Sequence, residues 1–250
     1  MPLKQARKLL RRVAAALGVT AVATRNIPFG YDWLLDVERL GQLWGRRNAT
    51  FFDVGANDGT ISLRILERFP AAEIHAFEPH PVVFGTLSLL GSRRGIRCHH
   101  VALSDAEGTA TLHAPAYDKL SSLLPNAPAF RGVPTTTFEV RTTTIDAFCE
   151  AHGIEQIDVL KIDVEGFDCA VIRGASRMLT AGAISFVYVE FTALLRQGAD
   201  ESGVLCPIAE FLLPHGLHFI ASFTEQVGSP DGFSLVSNAL FALPPGRMRG

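Results

Sequence analysis

From residue 51 onward, short apolar runs bounded by turn residues alternate with stretches whose apolar positions recur at helical spacing. This alternation predicts a parallel sheet with crossover helices, an α/β fold. The runs place strands at 50–54, 73–77, 97–103, 157–162, 184–190, 217–223 and 237–243. A first helix is expected over about 60–69. A second starts at Pro81, which suits a first helical turn, and runs to about Leu90. A third spans Asp168 to Leu179, where Ala170, Val171, Gly174, Ala175 and Met178 form one face. The last strand follows a tight loop, Gly228-Ser229-Pro230-Asp231-Gly232, and reads as an antiparallel hairpin partner.

Two segments break this rhythm. Residues 108–141 contain Gly108, Pro115, Pro125, Pro128 and Pro134 around a Ser121-Ser122-Leu123-Leu124 patch, with short threonine-rich strands at 109–113 and 137–143. A Pro-punctuated stretch of this length in a compact domain reads as a lid or substrate loop. Residues 196–207 read as a surface loop. No internal repeat and no low-complexity segment is evident.

The length of 250 residues accommodates one large α/β domain with a short N-terminal addition. A net charge of −2 gives no reason to expect nucleic acid as a partner. Cys98, Cys149, Cys169 and Cys206 are far apart and read as free thiols in a reducing compartment, so a cytoplasmic location is expected. No apolar run is long enough to span a bilayer. Lys4, Arg7, Lys8, Arg11 and Arg12 precede a small apolar stretch, Val13 to Ala23. That pattern only loosely imitates a secretory signal. It fits a basic helix packed on the domain, or one touching an anionic membrane surface as a peripheral contact.

The chemistry concentrates at expected strand ends. In Phe51-Phe52-Asp53-Val54-Gly55-Ala56-Asn57-Asp58-Gly59 a strand hands over to a helix through a glycine turn, as around a nucleotide-like ligand. The second run ends in Glu78, about 20 residues on, where a carboxylate can accept from two ribose hydroxyls. A dinucleotide fingerprint would need glycine where Asn57 stands, and Asp53 would repel a pyrophosphate but welcome the ammonium of a methionine moiety. S-adenosylmethionine is therefore favoured over NAD. Ser104 and Asp105, after the third strand, are candidates for the adenine neighbourhood. Lys161, Asp163 and Glu165 alternate with apolar residues, so on an extended strand they would share one face. Burying such charges is expensive unless they pair or work. Glu190, at the end of the fifth strand, would face the same crevice. A divalent metal on Asp163, Glu165 and Glu190 has no spacing rule behind it, and the eight histidines show no ligand spacing.

Together, Phe52-Asp53-Val54-Gly55-Ala56-Asn57-Asp58-Gly59, Phe77-Glu78-Pro79, Val101-Ala102-Leu103-Ser104-Asp105, Leu160-Lys161-Ile162-Asp163-Val164-Glu165-Gly166 and Val189-Glu190 resemble the FkbM family of S-adenosylmethionine-dependent methyltransferases. The resemblance covers about residues 50–243. It implies a class I methyltransferase fold, Rossmann-like, with seven strands in the order 3-2-1-4-5-7-6, the seventh antiparallel, and helices on both faces. The domain would occupy 46–250, after a basic helical extension over 1–45. The implied reaction is O-methylation of a sugar, glycolipid or polyketide-type product, so the partner is a small-molecule or glycan hydroxyl acceptor. Asp53, Gly55, Asn57 and Gly59 carry over as the methionine-side motif, Glu78 as the ribose acid, and Ser104 with Asp105 as the adenine neighbourhood. Among the acids of the later motifs, Asp163 is the first candidate for the base, Glu190 the second and Glu165 the third, with Lys161 either holding their ionisation or orienting them. An NAD-linked oxidoreductase and a non-catalytic S-adenosylmethionine-binding module are the rival readings.

Overall fold

The computed structural model of the protein describes residues 5, 26–42, 49–115, 121–127, 130, 133–194, 205–229 and 232–244. The basic stretch expected to contact a membrane and most of the 196–207 loop lie outside these residues. No described helix is long and apolar enough to cross a membrane.

The chain begins with α1 (Trp33–Gln42) and then enters the alternating pattern: β1 (Thr50–Val54), α2 (Thr60–Arg68), β2 (Glu73–Phe77), α3 (Pro81–Arg94) and β3 (Arg97–His99). After β4 (Ala102–Leu103), β5 (Gly108–Pro115) and β6 (Thr135–Thr143) come α4 (Ile145–His152) and β7 (Ile157–Ile162). The remainder is α5 (Asp168–Arg173), α6 (Ser176–Thr180), β8 (Ile184–Leu194), α7 (Leu205–Leu212), β9 (His218–Ser229) and β10 (Gly232–Ala242).

Seven strands form one sheet in the order β3-β2-β1-β7-β8-β10-β9. The first five are parallel neighbours, whereas β10 runs antiparallel to both β8 and β9. Counted within this sheet, that is the 3-2-1-4-5-7-6 order with an antiparallel seventh strand. Every residue of β7 is buried, as expected of a central parallel strand covered on both faces. Alternate side chains serve two cores. Phe52, Leu160 and Val187 pack against Ile145 and Val171 on one face. Phe51, Val159, Phe186 and Tyr188 pack against Ile65 and Trp33 on the other.

Three departures from the sequence expectations have local causes. The third strand does not run unbroken over 97–103: β3 stops at His99, and Ala102–Leu103 joins a second sheet, β4-β6-β5. In that sheet β5 pairs antiparallel with β6, so much of the 108–141 insertion is ordered pairing. The helix expected over 168–179 is two short helices. At their junction Gly174 lies so close to β4 that a side-chain carbon there would fall 2.0 Å from the Ser104 carbonyl oxygen. Finally, α1 lies inside the stretch expected as an extension, yet Trp33, Leu34 and Val37 are core residues, and Trp33 stacks on Tyr188 at 4.3 Å. Its start is fixed by Asp32, whose Oδ1 accepts from the backbone N–H groups of Leu34 and Leu35.

Candidate active site

The carboxyl ends of β1, β2 and β7 open onto a cavity whose lining includes Gly55, Asn57, Glu78, Asp163 and Glu165. Parallel α/β sheets bind ligands at this edge. Gly55 (φ 72°) follows β1 directly, and its N–H donates to the Phe77 carbonyl. A Cβ at this position would lie 1.9 Å from the Asp163 carbonyl oxygen. Only glycine lets the two loops approach so closely. Gly55→Ala is expected to lower stability by about 1–3 kcal/mol and to push Asp163 out of register, read as a lower Tm with loss of cofactor binding.

Asn57 also holds a left-handed backbone conformation (φ 50°), and its N–H donates to Glu78 Oε2 at 2.9 Å. The other oxygen of Glu78 accepts from the His80 N–H at 2.8 Å. Glu78 is therefore oriented by two backbone donors while buried at the cavity wall. Burial pushes its carboxyl up to about 7, against those two hydrogen bonds and the Lys161 charge, which pull the other way. His80 caps α3 through Nδ1, which accepts from the Val82 and Val83 N–H groups.

Lys161 is buried, and its ammonium sits 3.1 Å from Asp53 Oδ1 and 3.4 Å from Asp163 Oδ2. Burial alone would lower its pKa, but the two carboxylates outweigh that and hold it above its ordinary value. The Lys161 ammonium also reaches the Gly55 carbonyl at 3.2 Å. β7 ends at Ile162, so Asp163 and Glu165 lie just beyond it rather than on one extended strand; Glu165 itself takes φ 54°. The carboxylates of Asp163, Glu165 and Glu190 nevertheless converge, with oxygens all within 4.8 Å of one another. Burial first, then the Asp163 and Glu165 charges, push the Glu190 carboxyl well up. Among these three acids, the shift at Glu190 favours its neutral form beside Asp163.

Four residues expected at the ligand lie elsewhere. Asp53 is fully buried beneath the cavity, where it accepts from the Ser62 hydroxyl at 2.6 Å and pairs with Lys161. It is thus committed to the protein rather than to a ligand ammonium. Gly59 is the helix-entry residue of α2 (φ 85°), packed where a Cβ would lie 2.5 Å from Leu90 Cδ2. Ser104 is buried and its hydroxyl donates to Asp105, which in turn pairs with Arg173 at 3.1 Å. Neither Ser104 nor Asp105 lines the cavity; their neighbours Ala102 and Leu103 do, with Leu112 and Leu123, giving an apolar slot suited to a flat base.

Ser122 is a feature the pattern marked only as part of a lid. Its backbone bridges to His113, and its hydroxyl reaches the Glu165 carbonyl at 3.0 Å. The insertion is thereby tied to the loop that carries the acids. Asp168 is a second such feature. It is buried beside the acids and pushed up to about 7, by burial first and then by the Asp163 charge, and its Oδ2 accepts from the Gly166 N–H. Its place at the start of an expected helix hid its position beside the acids.

Residues 53–221 match the family model described as the methyltransferase FkbM domain. Methyltransferase sdnD of Sordaria araneosa is 30% identical over 224 residues, covering 76% of this chain and 81% of that protein. The 2-O-methyltransferase NoeI of Sinorhizobium fredii is 29% identical over 152 residues, 56% of this chain and 62% of NoeI. The 31-O-demethyl-FK506 methyltransferase FkbM of Streptomyces tacrolimicus is 27% identical over 198 residues, 68% of this chain and 73% of that protein.

Proposed function

The chain belongs to the FkbM methyltransferase family, and on that premise we propose that it transfers the methyl group of S-adenosylmethionine to a hydroxyl of a sugar, glycolipid or polyketide-type product. The observation that carries the choice of oxygen is Asp163, a carboxylate held ready as a proton acceptor where the cofactor cavity opens. Two relatives, a 2-O-methyltransferase and a 31-O-demethyl-FK506 methyltransferase, point the same way.

The residues fit the cofactor. Glu78 is aligned by the Asn57 and His80 N–H groups and retains acceptor capacity for two ribose hydroxyls. Gly55 leaves room for close approach, and Leu103, Leu112 and Leu123 give the base an apolar slot. Bound there, S-adenosylmethionine supplies an electrophilic methyl on a sulfonium that departs as a neutral thioether. The protein's own task is alignment and proton removal. Positioning the acceptor oxygen in line supplies a large part of the rate, up to roughly 7–11 kcal/mol. Asp163 takes the hydroxyl proton. Lys161, 3.4 Å away, pairs with Asp163 and orients it. Glu190, whose carboxyl is raised by burial and by the neighbouring acids, lies close enough to Asp163 to orient it when neutral. Asp53 anchors Lys161 from below.

Calorimetric titration with S-adenosylmethionine tests the cofactor half of this reading. Glu78→Ala is expected to weaken binding by about tenfold or more, since hydrogen bonds to a charged group are worth roughly 1.5–3 kcal/mol each. In the wild type the affinity is expected to fall as pH drops through about 7, the range in which Glu78 takes up its proton. The sign follows from the donors: ribose hydroxyls bind the ionised carboxylate better than the neutral acid. Equal affinity at pH 6 and pH 8, or in the variant, would remove Glu78 from the ribose.

A further inference from the structure

A second cavity, of about 410 Å³, lies against the cofactor cavity, and Asp163 lines both. Its volume falls in the range of small-molecule sites, roughly 300–1,000 Å³. Lys161, Asp163 and the stacked Trp33–Tyr188 pair are among its lining residues. Tyr31, 75% exposed, also lines it. Arg64 of α2 and Asn238 of β10 contribute the remaining polar groups that matter here.

The wall is preformed. Asp36 is fully buried and accepts from the Gly30 N–H at 2.8 Å, while Arg39 donates to the Ile27 carbonyl at 2.7 Å. These bonds, with the Asp32 cap, fix the segment that carries Tyr31 and Trp33. Tyr31, Trp33 and Asn238 all lie outside the stretch that matches the family domain, 53–221. The part of the cavity farthest from the shared chemistry is therefore built by this chain's flanking segments.

The charges facing this cavity are almost all spoken for. Lys161 is held between Asp53 and Asp163, and Asp32 caps α1. Arg64 is exposed and makes no hydrogen bond or ion pair among the described residues. Aromatic faces beside buried polar groups suit a ring that is apolar on its flat sides and hydroxylated at its edge. An unpaired guanidinium at the wall suits a carboxylate or phosphate on that ring.

We infer that this cavity receives the methyl acceptor as an anionic glycosyl unit, with the sugar ring against Tyr31 and Trp33, its anionic group on Arg64 and the reacting hydroxyl at Asp163. The inference rests on the methyltransferase reading above and narrows its acceptor class.

The test is transfer from radiolabelled S-adenosylmethionine to three probes: methyl glucuronoside, a hexose phosphate and methyl glucoside. At least one anionic probe is expected to show a KM about tenfold or more below that of the neutral glycoside, the scale of one charge-assisted pair. Which of the two does so distinguishes carboxylate from phosphate. Arg64→Gln is expected to erase that gap, and Tyr31→Ala to raise KM for every probe. Both positions are exposed, so both variants should fold. Equal use of neutral and anionic probes, or a gap that survives Arg64→Gln, overturns the inference. If no probe is methylated while calorimetry still registers donor binding, the anionic sugar is wrong and the methyltransferase reading stands. Loss of donor binding in the wild type would remove that reading itself.

Discussion

Asp163→Asn is expected to lower kcat by roughly 100- to 10,000-fold, the range associated with a positioned general base, while leaving S-adenosylmethionine affinity largely intact. Asparagine keeps the size of the side chain and its hydrogen-bonding reach toward Lys161, but it cannot take a proton from a hydroxyl. Single-turnover transfer to an accepted hydroxyl, with calorimetry as the control, separates the two effects. An unchanged rate would dismiss Asp163 as the base. The same assay distinguishes proton sharing among Asp163, Glu165 and Glu190 from ligation of a divalent ion. Turnover that survives a chelator keeps the proton-sharing arrangement. Turnover that vanishes and returns with added magnesium would reassign the three carboxylates, which lie close enough to one another to hold an ion.

Lys161→Met is expected to destabilise the fold by about 3–5 kcal/mol, because it strands a fully buried carboxylate without its cation. Asp53 has no exposure, and its remaining side-chain donor is the Ser62 hydroxyl. Urea denaturation gives the size directly. The double variant Asp53→Asn/Lys161→Met is expected to recover much of the loss, since neither charge then remains to be neutralised. Additive losses would mean that the two residues act independently, and that the contact at 3.1 Å contributes little.

The order of strands in the main sheet was legible because each apolar run is continuous and each is closed by a turn residue or an acid. Glu78 was legible for the same reason: a single local pattern fixes both its strand and its position at that strand's end. Asp53 was read as a ligand contact because its partner is remote in sequence. Only the parallel pairing of β1 with β7, in which Asp53 lies level with Lys161, reveals that the acid belongs to the lysine. The break in the helix over 168–179 was hidden for a similar reason, since it depends on the approach of β4 to Gly174. The helix that carries Trp33 precedes every recognisable motif, and its apolar face has meaning only once Tyr188 is opposite it. Asp163 and Glu165 converge with Glu190 of β8 although β7 ends before them, so the expected meeting occurs by a different backbone route.

Two non-glycine residues beside the cofactor cavity, Asn57 at φ 50° and Glu165 at φ 54°, are held in left-handed backbone conformations. Such conformations each cost of order 1–3 kcal/mol and persist only where the surroundings enforce them. The corner proposed to carry the chemistry is thus a cost to folding, offset by the sheet and its two cores. A selection for heat resistance alone would drift toward glycine at these positions, gaining stability while loosening the grip on Glu78 and on the acids. Robustness and turnover therefore pull this sequence in opposite directions at the same two residues.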